Sequence, residues 1–202
     1  MLTNTNSELQ RAVSYHQLGQ LDQAENIYRK ILENDPQHVD ALHLLGLVTY
    51  QSGRAEIAIN LIKKAISLSP ESSNLLCNLG DIFRALGRFE ESIQVYQRAM
   101  IVGSKSAKIY NAIGLTFKDS GKTEEAIQAY QKAIRIDPDY VEAYNSLGLA
   151  YESLAMYDES LSTYERAIKS NPNYEKLYNN LGNLYTIINK HNCLLYTSDA
   201  AD

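Results

Sequence analysis

A chain of 202 residues with 45% hydrophobic content can build one large core or two small ones, and its formal charge of -5, with lysines and arginines spread along it, excludes a nucleic-acid scaffold. The polar N-terminus, MLTNTNSELQ, lacks the regions of a secretion signal, and no stretch approaches the ~20 apolar residues of a membrane span, so a cytoplasmic protein without membrane contact is expected. Cys77 and Cys193 are too few for a disulfide framework or a zinc site, His16, His38, His43 and His191 have no ligand spacing, and HExxH, GxSxG, GxGxxG and phosphate-loop motifs are absent, so no catalytic residue, metal or cofactor is expected.

The chain aligns with itself, without a gap, at a period of 34: residues 5–38, 39–72, 73–106, 107–140, 141–174 and a partial copy, 175–192. Nine of the ten glycines fall at two positions, the eighth (Gly46, Gly80, Gly114, Gly148, Gly182) and the fifteenth (Gly19, Gly53, Gly87, Gly121), and all four prolines fall at the thirty-second. Proline cannot continue a helix, and the fifteenth-position glycine suits a tight turn between helices. Between these marks lie apolar residues at i, i+3, i+4 and i+7, so each repeat is predicted to be an antiparallel helix pair. The eighth-position glycine, costly inside a helix, is expected to let the partner helix approach closely beside Ala58, Ala126 and the aromatic Tyr96, Tyr130 and Tyr164.

Taken in order, the first repeat departs most, with Ala12 at the glycine position and Glu8 at an aromatic one, as a polar cap would. The second is regular. The third has Ser104 in place of proline, with Gly103 before it as an alternative helix stop. The fourth and fifth are regular and carry acidic pairs, Glu124–Glu125 and Asp158–Glu159, where negative charge favours a helix start. The sixth completes its first helix in YNNLGNLYTIINK, and a turn is expected at His191 and Asn192.

With L-G-x-x-Y/F, G-x-x-x-x-A/S and a closing proline at this period, residues 5 to about 192 resemble the tetratricopeptide repeat family. The resemblance implies an all-α fold, a right-handed superhelical solenoid of five full helix pairs plus the first helix of a sixth, whose first helices line a concave groove. It also implies that 11 of the 15 tyrosines, standing at the fourth, eleventh, seventeenth and twenty-fourth positions, are packing residues. Runs such as YNNLGNLY and RIDPDYVEAYNSLG are similar to the repeat arms of O-linked N-acetylglucosamine transferases and their bacterial relatives. The chain is expected to be a non-catalytic scaffold that binds a protein or extended peptide in its groove; the alternative, on that likeness, is the N-terminal substrate-recruiting arm of a larger glycosyltransferase. The sixth-position asparagine ladder of that family is matched only by Asn78 and Asn180. Co-chaperone domains that clamp acidic C-termini carry lysine at the fifth position, where Leu9, His43, Cys77, Asn111, Asn145 and Asn179 stand, so no such clamp is implied.

Positions 2, 5, 6, 9, 12 and 13 share the side of each first helix opposite its packing residues. There the later repeats present Asn78, Asp81, Asn111, Asn145, Asn179, Asn180 and Asn183. An amide both donates and accepts, so it can match a peptide backbone without reading side chains. These residues are the candidate site for an extended protein or peptide partner.

The closing CLLYTSDAAD fits no position of the repeat and equals a translation of TGT CTC TTA TAC ACA TCT GAC GCT GCC GAC, a string resembling a transposase adapter used in sequencing libraries. Residues 193–202 are therefore expected to be non-native, and the first helix of the sixth repeat to lack its partner, to expose an apolar side and to favour self-association.

Overall fold

The computed structural model describes the backbone of residues 2–103 and 106–199 and the side chains of residues 5–103 and 106–189. The chain divides into two compact units, 1–104 and 105–202. Among the described residues there are eleven helices and no strand.

In the first unit α1 (Leu2–Gln17) pairs with α2 (Leu21–Asn34), α3 (Val39–Gln51) with α4 (Ala55–Leu68) and α5 (Ser73–Ala85) with α6 (Phe89–Val102), and each pair stacks on the next. In the second, α7 (Ala107–Asp119) pairs with α8 (Thr123–Ile136) and α9 (Val141–Ser153) with α10 (Tyr157–Ser170), and α11 (Glu175–Asp199) packs on α9 and α10. These are the five pairs and the odd helix that the period requires.

The punctuation works as the sequence predicts. α2, α4, α8 and α10 each stop two residues before a proline, and α6, which has none, ends at Val102 against Gly103. Inside the second to fifth pairs the eighth-position glycine lies under the second helix. A Cβ on Gly114 would meet the Tyr130 ring at 2.4 Å, and one on Gly148 the Tyr164 ring at 2.3 Å. Tyr96, Tyr130 and Tyr164 are fully buried there, with Ala99, Ala133 and Ala167 beside them. Where the twentieth position is serine rather than alanine, its hydroxyl donates to the glycine carbonyl, at 2.9 Å from Ser92 to Gly80 and 3.0 Å from Ser160 to Gly148. The close approach therefore leaves that buried hydroxyl satisfied.

Arginine at the sixteenth position ties neighbouring repeats of the first unit. Arg54 is bound to Glu25, which also accepts from Arg29 at 2.9 Å, and Arg88 donates to Glu56 at 3.1 Å. The Arg54 guanidinium, with Arg29, holds the Glu25 carboxyl below the usual carboxylate range against the opposing effect of its burial.

One expectation fails. α11 does not turn at His191 and Asn192 but continues as helix to Asp199. Its fifteenth position is Asn189 rather than glycine, and no proline or glycine follows before Asp199, so nothing breaks the helix. Side chains from residue 190 on, and all of residues 200–202, lie outside the described part, and with them the expected non-native character of 193–202.

Candidate peptide-binding face

The candidate residues divide between the units. In the first, Asn78 on α5 does not stand free. Its side-chain amide lies 2.6 Å from Nε2 of His43 on α3, so the sixth position of one repeat meets the fifth position of the repeat before it. Burial holds the His43 imidazole below its ordinary pKa, opposed only by Asp40, so its Nε2 is free to accept from Asn78 at neutral pH. Asp81 is exposed, yet it accepts the Tyr96 hydroxyl at 2.6 Å. Burial first, and this carboxylate second, raise the Tyr96 phenol.

In the second unit the same link recurs. Asn180 on α11 donates to Oδ1 of Asn145 on α9 at 2.7 Å, again fifth position to sixth across one repeat. Asn179 and Asn183 are exposed on the same helix. Asn111 on α7 differs from all of these. It is only 7% exposed, and its Oδ1 is buried without a hydrogen-bond partner among the described residues. The position following it in register is Ser146 rather than asparagine, so the pairing found at Asn145 has no counterpart there. The Asn111 amide instead lies against Tyr140, whose phenol burial raises and whose ionisation that amide favours. Asn111 is thus placed as a packing residue.

The seven candidates therefore fall into three environments. Asn78 and the Asn145–Asn180 pair are joined to neighbouring repeats, Asn179, Asn183 and Asp81 face solvent, and Asn111 is enclosed. Sequence reasoning missed His43 and Tyr140 as neighbours of the candidate amides. A comparison of residues 35 apart, rather than 34, was the signal available for the first. Among the described residues no group of three histidines, cysteines or acids could hold a metal, and no helix is long and apolar enough to cross a membrane.

A bound amide keeps capacity. After donating to Asn145, and with its amide also against the Tyr164 hydroxyl, Asn180 retains its carbonyl, and Asn145 retains both N–H groups. The pair offers fixed donors and an acceptor between two adjacent first helices, and Asn179 and Asn183 stand beside it on α11.

Family models for tetratricopeptide repeats match residues 80–121, 114–154, 141–174 and 163–192, and one described as anaphase-promoting complex, cyclosome, subunit 3, matches residues 12–99. Among solved structures the chain is similar to MamA at 30% identity, over 82% of this chain and 96% of that one, with a TM-score of 0.69. It is similar to PilF of Pseudomonas aeruginosa at 21% identity, over 82% and 76% of the two chains, with a TM-score of 0.72. It is also similar to a chain of the APC/C hetero-tetramer Cut9–Hcn1 at 18% identity, over 90% of this chain and 36% of that one, with a TM-score of 0.70. The last two likenesses speak for the fold alone. No curated protein matches the chain, and nothing in these matches supports the likeness to glycosyltransferase arms. The period, the helix pairs under their glycines and the matches over both halves converge: the chain belongs to the tetratricopeptide repeat family, whose helix pairs serve as scaffolds for protein partners.

Proposed function

We propose that the first-helix face of the second unit holds an extended stretch of a partner protein by its backbone, with the Asn145–Asn180 pair as the grip and Asn179 and Asn183 as adjoining contacts. The observation that carries this reading is the 2.7 Å bond between Asn145 and Asn180. It fixes two flexible amides in advance and so lowers the cost of ordering them on binding. Neighbouring helices pack ~8 to 10 Å apart and an extended chain advances ~3.3 Å per residue, so one such rung meets roughly every third peptide unit. No catalytic step is assigned to the chain.

The test uses peptides selected for binding from a random library and then resynthesised with N-methyl groups at alternate backbone amides. Replacing Asn145 and Asn180 together by alanine removes both partners of one bond, so the thermal midpoint should hold while affinity falls about tenfold or more. N-methylation of the contacting amides should cost a similar factor in the unaltered chain. Affinity indifferent to N-methylation would sink the backbone grip, and a large fall in thermal midpoint would show that the pair is structural.

A second partner is favoured by a specific observation, the open side of α11. Tyr178 and Tyr185 are 47% and 46% exposed, and among the described residues nothing lies within 4 Å of where a Gly182 Cβ would stand. That side is read as a contact with a second copy of the chain.

A further inference from the structure

On the side of α5 away from Asn78 and Asp81, α4 and α6 flank a cavity of about 620 Å³. Its floor is Leu76, Leu79 and Phe83, spaced along one face of α5 and each nearly buried. Two exposed cations stand at its mouth, Lys63 on α4 and Arg98 on α6. The Lys63 ammonium lies 5.7 Å from the centre of the Phe83 ring. The lining holds one carboxylate, Glu91, and it is already engaged by Arg88 at 2.6 Å. No ion pair involves Arg98 among the described residues. The mouth is therefore positive over an apolar floor.

The second unit shows what closes such a place. Its equivalent cavity, two repeats further on, shrinks to about 410 Å³ because Tyr144 and Tyr151 replace Leu76 and Phe83. Its cations differ: Arg135, in place of Ser67, lines it beside Arg166. Gln131 stands in place of Lys63 and donates to the Tyr151 hydroxyl at 2.9 Å, and the Arg166 guanidinium lies 5.5 Å from the Tyr144 ring centre. The first unit keeps the larger cavity, with Lys63 and Arg98 exposed at its mouth.

We propose that the cavity between α4 and α6 is a second docking site, taking an acidic amphipathic segment of a partner protein. A leucine or phenylalanine of that segment enters the cavity between α4 and α6, and neighbouring carboxylates meet Lys63 and Arg98. Charge complementarity decides the occupant: two cations brought out of water at an apolar floor need carboxylates beside the incoming side chain, and a basic segment is repelled. The site is independent of the asparagine face of the second unit.

The probe is a fluorescein-labelled Asp-Glu-Leu-Phe-Asp-Glu peptide titrated by anisotropy with the full chain, against a counterpart with lysine at every acidic position. The acidic peptide should bind saturably and the basic one should not. Lys63→Glu with Arg98→Glu should weaken binding at least ~10-fold, with circular dichroism and thermal midpoint unchanged because both side chains are exposed. Should that variant fold poorly, Lys63→Gln with Arg98→Gln should still give a several-fold loss. Asn179→Ala with Asn183→Ala should leave the affinity as it is. The proposal is overturned by absence of binding, by equal binding of the basic peptide, by glutamine or glutamate variants that bind as the original does, or by loss of affinity in the asparagine variant. Saturation by dodecanoate where the peptide fails would assign the cavity to a carboxylated lipid, and chain self-association abolished by the two glutamates would assign it to a second copy. Either result overturns it as well.

Discussion

Ala155 occupies the turn between α9 and α10 with φ 57°, the one described non-glycine residue with positive φ, at the position where Gly19, Gly53, Gly87 and Gly121 have φ between 72° and 80°. The turn is otherwise unchanged: the Met156 N–H reaches the Tyr151 carbonyl at 3.0 Å, as the Lys122 N–H reaches that of Phe117 at 2.9 Å. The repeat therefore imposes a left-handed residue on a side chain for which it costs ~1 to 2 kcal/mol. Glycine recovers that cost but is freer in the unfolded chain, so Ala155→Gly should stabilise by about 0.5 to 1 kcal/mol, read as a rise in the urea midpoint. An unchanged midpoint would mean that the turn relaxes around the methyl group. This need for glycine was legible in the sequence from the four other copies. The fate of the asparagines was not, because an amide's surroundings are set by a different repeat. Asn145 meets an asparagine 35 residues on, whereas Asn111 has Ser146 there and is enclosed.

At the scale of helices, one substitution should have opposite signs at equivalent positions. Gly148 lies under α10, where a Cβ would stand 2.3 Å from the Tyr164 ring, and that ring is fully buried with no room to retreat. Gly148→Ala should therefore destabilise by ~1 to 3 kcal/mol through overpacking. Gly182 has nothing within 4 Å of its Cβ position among the described residues, so there alanine adds only helix propensity, and Gly182→Ala should stabilise by up to ~1 kcal/mol. Urea unfolding of the two variants, at a concentration where the chain is monomeric, checks both signs. Destabilisation by both would show that Gly182 also lies under a packed element. Helix number and helix ends were readable because proline and glycine act locally, through a missing N–H and a permitted φ. The run of α11 through Asn192 was misread because the turn was carried over from the register of the other repeats, whereas Asn189 stands where they have glycine and a helix ends only where a residue or a contact ends it.

For the molecule as a whole the unresolved balance is on α11. Its fourth, eighth and eleventh positions are Tyr178, Gly182 and Tyr185, whereas at the equivalent positions of the third repeat Leu76 is 1% and Phe83 2% exposed. Tyr178, Gly182 and Tyr185 recur at i, i+4 and i+7, so they form one stripe with the glycine near its middle. Two copies of α11 crossing antiparallel at Gly182 place Tyr178 of one against Tyr185 of the other, an isologous contact that closes on itself and stops at a dimer. The absence of a Cβ at the crossing lets the backbones approach and the rings bury more area, while the charge of -5 on each copy opposes association. Self-association should therefore strengthen as salt screens that repulsion. Sedimentation equilibrium should show a monomer–dimer exchange, and Tyr178→Ser with Tyr185→Ser should shift it at least ~10-fold toward monomer while leaving the helix content intact. Assemblies that grow beyond the dimer would instead indicate a head-to-tail contact, and a tyrosine-free variant that associates as strongly as the original would move the interface off α11 altogether.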